Sequence, residues 1–283
     1  MKQLLVALIF AAALPAQDAF RVKVTGHGQP MILIPGLSSS GETWDTTVAH
    51  FGDRFECHVL TLAGFAGVPR IPAPMLDRVR DAVVGYIIEK KLVKPVIVGH
   101  SLGGFLALAI GAKYPDLPAK LVIVDAYPFL SALYDPNMTA EQAKANAAST
   151  RRYIGDQSQD MYERYVKSGV STRMMVTKDS DLDRIIAWGL ASDRTAVADA
   201  MAEMMATDLR ADIAKIKAPT IVLATWVGMK EYTDRAKTEA NLKSQYANLA
   251  GVELQLNDRA RHFMMWDDPD WMFARMDRFL SAK

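Results

Sequence analysis

Val96-Ile97-Val98-Gly99-His100-Ser101-Leu102-Gly103-Gly104 is the stretch on which the reading of this chain turns. A short β-branched apolar run ends in Gly-x-Ser-x-Gly, and a helical pattern follows at once, running to Tyr114 and stopping before Pro115. A buried strand entering a helix through such a turn holds the serine in a strained conformation with its hydroxyl lifted clear. The small neighbours let strand and helix approach closely. The helix aims its first free amides and the positive end of its dipole toward that serine, which favours negative charge there. Ser101 is therefore the candidate nucleophile.

Working outward, the same kind of apolar run recurs at Met31–Ile34, Leu121–Val124 and Thr220–Leu223. Such runs suit strands buried on both faces of a largely parallel sheet. Arg21-Val22-Lys23-Val24 alternates at period two, as a half-solvated edge strand would, and Val252–Leu256 reads as a late strand. Helix-period segments lie between them, including 76–91 and a closing helix for which Asp268-Pro269 supplies an N-cap and first turn. Strand–helix alternation of this kind predicts an α/β fold, a mostly parallel central sheet flanked by helices.

One stretch breaks the alternation. Residues 126–210 hold no strand run and at least three helix patterns: 139–152, 158–168 between Ser158 and Gly169, and a segment capped by Asp193. This predicts an all-helical cap inserted into a core made of 17–125 and 211–283. The insertion is rich in methionine, with Met138, Met161, Met174, Met175, Met201, Met204 and Met205, and it carries Trp188. Those side chains suit the packing of the cap itself. They also suit a compliant apolar pocket, lined from below by Trp226, Met229 and Phe263–Trp266.

A serine nucleophile needs a base and an oxyanion site. Of the five histidines, His262 alone falls in a loop between the last strand and the last helix, where a sheet's C-terminal edge would deliver it. His100 lies inside the turn and is read as packing beside it. The strand at Met31–Ile34 ends in Pro35-Gly36-Leu37, a tight turn that puts the Leu37 amide where it can pair with that of Leu102 as oxyanion donors. Gly26-His27-Gly28 lacks the third glycine of a nucleotide loop.

Composition narrows the partners. The chain has 283 residues, half of them hydrophobic, with 33 Lys plus Arg against 32 Asp plus Glu. So balanced a charge gives no field favouring nucleic acid or anionic lipid. The single cysteine, Cys57, excludes an internal disulfide framework and a Cys-rich zinc site. Met1-Lys2, the apolar run Leu4–Leu14 and Pro15-Ala16 have the layout of a secretory signal peptide over residues 1–16. This predicts a periplasmic or secreted bacterial protein whose mature chain has no membrane span.

Taken together, Gly28 to Leu37, the Gly99–Gly104 turn, Leu121 to Asp125 and His262 make the chain resemble the α/β-hydrolase superfamily over residues 20–281. Two departures stand out. Pro35-Gly36 replaces the common His-Gly, and Thr225–Glu231 follows its strand without the usual Gly-x-x-Asp. The resemblance implies cleavage of a small-molecule, apolar carboxylic ester through an acyl-enzyme, with no metal or organic cofactor. Lactone, amide, perhydrolase and C–C bond chemistry share such a site, and some members of the fold only bind ligands. The resemblance also implies a third residue, a carboxylate behind His262. Asp125, at the end of its strand, is the expected acid, as in those members that carry it there. Glu231 and Asp234 are the alternatives after the next strand.

Overall fold

The computed structural model describes residues 16–133 and 135–282. The leader expected over residues 1–16 lies outside them apart from Ala16. In chain order the regular elements begin with α1 (Ala16–Ala19), β1 (Phe20–Gly26), β2 (Gln29–Ile34), α2 (Asp45–Phe51) and β3 (Phe55–Leu62). α3 (Met75–Glu89), β4 (Val96–His100), α4 (Leu102–Lys113) and β5 (Lys120–Val124) follow. Then come α5 (Ala140–Gly155), α6 (Gln159–Ser168), α7 (Asp179–Leu190) and α8 (Arg194–Ala206). The chain closes with β6 (Thr220–Thr225), α9 (Arg235–Gln245), β7 (Glu253–Asn257), α10 (Met264–Asp267) and α11 (Pro269–Ser281).

The apolar runs become central strands because both their faces are covered. β4 is buried along its whole length, and the sheet order is β1-β3-β2-β4-β5-β6-β7, with only β1 antiparallel to its neighbour. On one face lies a core that includes side chains of α3, α4 and α9, and on the other a core that includes side chains of α2 and α11. α4 is apolar on all sides and buried from Leu102 to Ala112, as a helix wedged between the sheet and other helices must be. The chain leaves β2 for β3 on one side and returns as β4 on the other. The loops after β2 and β4 therefore part, and an open α/β sheet binds its ligand at such a switch point.

Two expectations need correction here. β1 is an edge strand, but beyond Phe20 every residue is exposed, so its alternation does not mark a buried face. Asp268 precedes α11, yet its side chain makes no cap bond; both oxygens go instead to Asn257 and Arg259. β3 is a strand that no continuous apolar run announces. It lies inside the sheet although it carries Glu56 and His58, because His58 binds Glu56 and the Tyr86 hydroxyl at 2.9 and 2.8 Å.

Between β5 and β6 the described residues form only helices and turns. Thr139, Ser158 and Asp193 cap α5, α6 and α8 with their side chains, and Gly169 ends α6 in the left-handed region at φ 63°. This insertion is tied to the loop after β3, where the Gly67 and Asp193 amides donate to Ala191 and Gly64 carbonyls, each at 2.8 Å. Among the described residues no helix is long and apolar enough to cross a membrane.

Candidate active site

Ser101 sits between β4 and α4 at φ 54°, ψ −119°, a conformation that L-residues avoid and that only the surrounding structure can impose. Its amide donates to Val124 O at 2.9 Å, and its carbonyl accepts the Phe105 amide. The glycines are what permit this crowding. A Cβ on Gly99 would lie 2.1 Å from Gly103 O, and one on Gly103 2.1 Å from Ile34 O. Gly36 brings the turn after β2 against the same point, where a Cβ would lie 3.2 Å from Ser101 Cβ. The Leu37 and Leu102 amides, at the start of that turn and of α4, donate to no group among the described residues. They remain available to an oxyanion.

Asp125 directly follows β5 and is also left-handed, at φ 45°, which an aspartate tolerates better than most side chains. This turns its carboxylate toward the loop after β7. Oδ2 lies 2.6 Å from His262 Nδ1, and Oδ1 accepts the Thr225 amide at 3.1 Å. Because the carboxylate can only accept, Nδ1 carries the proton and Nε2 is left as the basic nitrogen. The pair is shielded, with 24% of the His262 side chain and 11% of the Asp125 side chain exposed. Such removal from water strengthens a charge-assisted bond. Ser101 and His262 are brought to the same sheet edge without a direct hydrogen bond between their side chains, an arrangement usual before substrate binds.

His100 joins the two. Its ring is fully buried 4.4 Å from that of His262, and its Nε2 donates to His262 O at 3.1 Å. Burial holds this imidazole well below the ordinary range, with the neighbouring His262 adding to the effect. His100 is thus a neutral strut beside the turn.

The other acid candidates are placed elsewhere. Asp234 caps α9 by accepting the Lys237 amide at 2.8 Å, and Glu231 is exposed. The apolar residues expected to line a pocket divide: of the cap methionines only Met204 is buried, Met161 is exposed and the others are half-buried. Trp188, Met204, Phe263, Met264, Met265 and Trp266 are all buried, and the Trp226 indole is committed to Asp258 at 2.8 Å. Two cavities, of about 180 Å³ between α3, α4 and α8 and about 340 Å³ along β7, include none of Ser101, Asp125 and His262. Thr225 completes the arrangement: its amide holds Asp125 and its hydroxyl donates to Ala260 O. No residue-type signal marks it, since the bond to Asp125 is made by backbone.

A strand–turn–helix serine, an opposed glycine turn and a histidine–carboxylate pair at one sheet edge define the class. The sequence model of the Alpha/beta hydrolase family matches residues 31–275, and the chain belongs to that family. It is 23% identical to a pimeloyl-[acyl-carrier protein] methyl ester esterase of Nitrosospira multiformis over 269 residues, 93% of this chain and 98% of that one. A like-named esterase of Vibrio cholerae is 30% identical over 110 residues, 39% of this chain and 42% of the relative. Among solved structures, the enol-lactonase from Burkholderia xenovorans superposes with a TM-score of 0.75 at 18% identity, covering 93% of this chain and 96% of that one.

Proposed function

We propose that the chain is a serine hydrolase that cleaves small-molecule carboxylic esters through an acyl-enzyme. Ser101 is the nucleophile, His262 the general base and acid, Asp125 the orienting carboxylate, and the Leu37 and Leu102 amides the oxyanion donors. The observation that carries this reading is the 2.6 Å Asp125–His262 bond at the edge where Ser101 stands at φ 54°. The names of the esterase relatives agree with it.

In this scheme Ser101 Oγ attacks the ester carbonyl as its proton passes to His262 Nε2. The carbonyl oxygen becomes an oxyanion held by the two amides. Collapse breaks the bond to the alcohol, which takes the proton from His262 and leaves. Water then loses a proton to the same nitrogen and attacks the acyl carbon, and the acid departs as Ser101 recovers its proton. Asp125 stays ionised throughout, stabilising the imidazolium and fixing its tautomer.

Turnover of p-nitrophenyl esters of increasing acyl length, with a lactone arm, tests the reading. The wild-type protein is expected to hydrolyse them and to be labelled at Ser101 by an organophosphonate. Ser101→Ala should lose about 10³-fold or more in kcat while keeping its fold. An alanine variant with a tenth of the wild-type rate would end the assignment.

A further inference from the structure

We infer that the helical insertion between β5 and β6 is part of the device that positions His262, acting through a clamp made by Asp267 and Arg261. The kinetic consequence rests on the ester-hydrolase reading; the clamp itself rests on geometry. Asp267 Oδ1 accepts the Thr177 amide at 3.0 Å, and Oδ2 accepts the Arg261 amide at 2.8 Å. One carboxylate therefore joins the turn before α7 to the residue preceding His262. The Arg261 guanidinium binds the same turn a second time, with Nη1 donating to the carbonyls of Arg173 and Val176 at 2.8 and 2.7 Å. On the far side of His262, the Phe263 amide donates to Met175 O at 3.1 Å.

Both neighbours of His262 are thus held by residues 173–177, which belong to the insertion. That turn is itself seated. Val176 is buried in the same core as Phe263 and Trp266, and Gly228 lets the Met174 carbonyl come within 2.5 Å of where a Cβ would stand. From the opposite side His100 holds the His262 carbonyl. The backbone that carries the imidazole is fixed between the Ser101 turn and the insertion, so that the Nδ1 bond to Asp125 needs no search. Asp267 and Arg261 are positioning residues. They meet no reacting atom.

The chemistry of the clamp sets its test. Both Asp267 oxygens accept from amides, so Asn at this position keeps one bond and sets an NH₂ against an N–H. Arg261→Met removes both donations at similar length, whereas Arg261→Lys retains a nitrogen with enough protons for two carbonyls. Asp267→Asn and Arg261→Met are expected to lower kcat about 10- to 100-fold, the scale of a misplaced catalytic group. KM should stay within about threefold, and Arg261→Lys should keep most of kcat. The low-field proton resonance of the His262 Nδ1–H should broaden or vanish in the first two variants and persist in the lysine variant.

Wild-type kcat with an unchanged low-field resonance in either variant overturns the clamp, as does a loss confined to KM. If Asp267→Asn fails to fold, the Arg261 pair decides. If the wild-type protein hydrolyses no ester, the ester reading falls, and the resonance still decides whether the insertion holds His262.

Discussion

Asp125 shows how much one residue's backbone can determine. At φ 45° it leaves the strand direction, so its carboxylate lies across the end of β6 and takes one N–H from Thr225 and one from His262. An amide in its place could accept from only one of these with the right tautomer of His262, and would favour the unproductive one. Asp125→Asn is therefore expected to lower kcat by up to about 10⁴-fold with little change in thermal stability. Glu231→Gln and Asp234→Asn should stay within about threefold on the same esters, since one is exposed and the other caps α9. Near-normal kcat in Asp125→Asn, or a silent Glu231→Gln, would transfer the role to the later loop. The sequence marks Ser101 and His262 by local context, a strand–turn–helix and a loop before the last helix. It cannot mark the acid in that way. Which of three carboxylates meets the imidazole depends on where two strand ends lie in space, and that is a tertiary fact.

The elements follow a similar division. Ser158 and Asp193 are legible as caps because a capping side chain bonds to amides two or three residues ahead in its own helix, and Thr139, placed by the pattern inside its helix, turns out to cap α5 in the same way. α3 has no such residue, since Pro74 precedes it and offers no cap. Its first two amides are met from elsewhere, by Glu203 of α8, whose two oxygens accept from Met75 and Leu76 at 2.8 and 2.7 Å. The carboxylate also faces the positive end of the helix dipole. No pattern in the sequence of α3 predicts a partner more than a hundred residues away. β3 escaped for a related reason, because its Glu56 and His58 are satisfied by each other and by Tyr86 of α3. Glu203→Ala should cost about 1–2 kcal/mol, the usual scale for a lost cap. Urea unfolding would read this, and an unchanged midpoint would mean that water satisfies the two amides equally well.

At the scale of the whole molecule, most of the central strands are legible in the sequence, whereas their order and the proton balance are not. Continuous apolar runs name the central strands, whereas burial of single polar groups depends on what packs over them. His100 and His58 are both buried, and burial is the first cause of depression for each, with Glu56 partly offsetting it at His58. The folded chain therefore keeps both neutral at a pH where the unfolded chain, with histidines near 6.5, takes up protons. Below that value the unfolded state binds more protons than the folded one, so stability must fall as the pH falls. Other shifted groups act lower down. Asp81, Asp208 and Asp277 are held below the ordinary aspartate range because bonds to Arg80, Arg210 and His50 outweigh their burial, so their contribution is kept above that range and lost as the pH falls through it. Glu203 is raised by burial, so its effect has the opposite sign: it adds stability as the pH falls through its raised folded value, above the ordinary glutamate range, and partly opposes the histidines there. The two rings together should therefore make the protein less stable at pH 5 than at pH 7. His58→Gln and His100→Gln, compared by urea unfolding at both pH values, should each reduce that difference even where they lower stability overall. A difference between pH 5 and pH 7 that neither variant reduces would show that neither ring is held neutral by the fold.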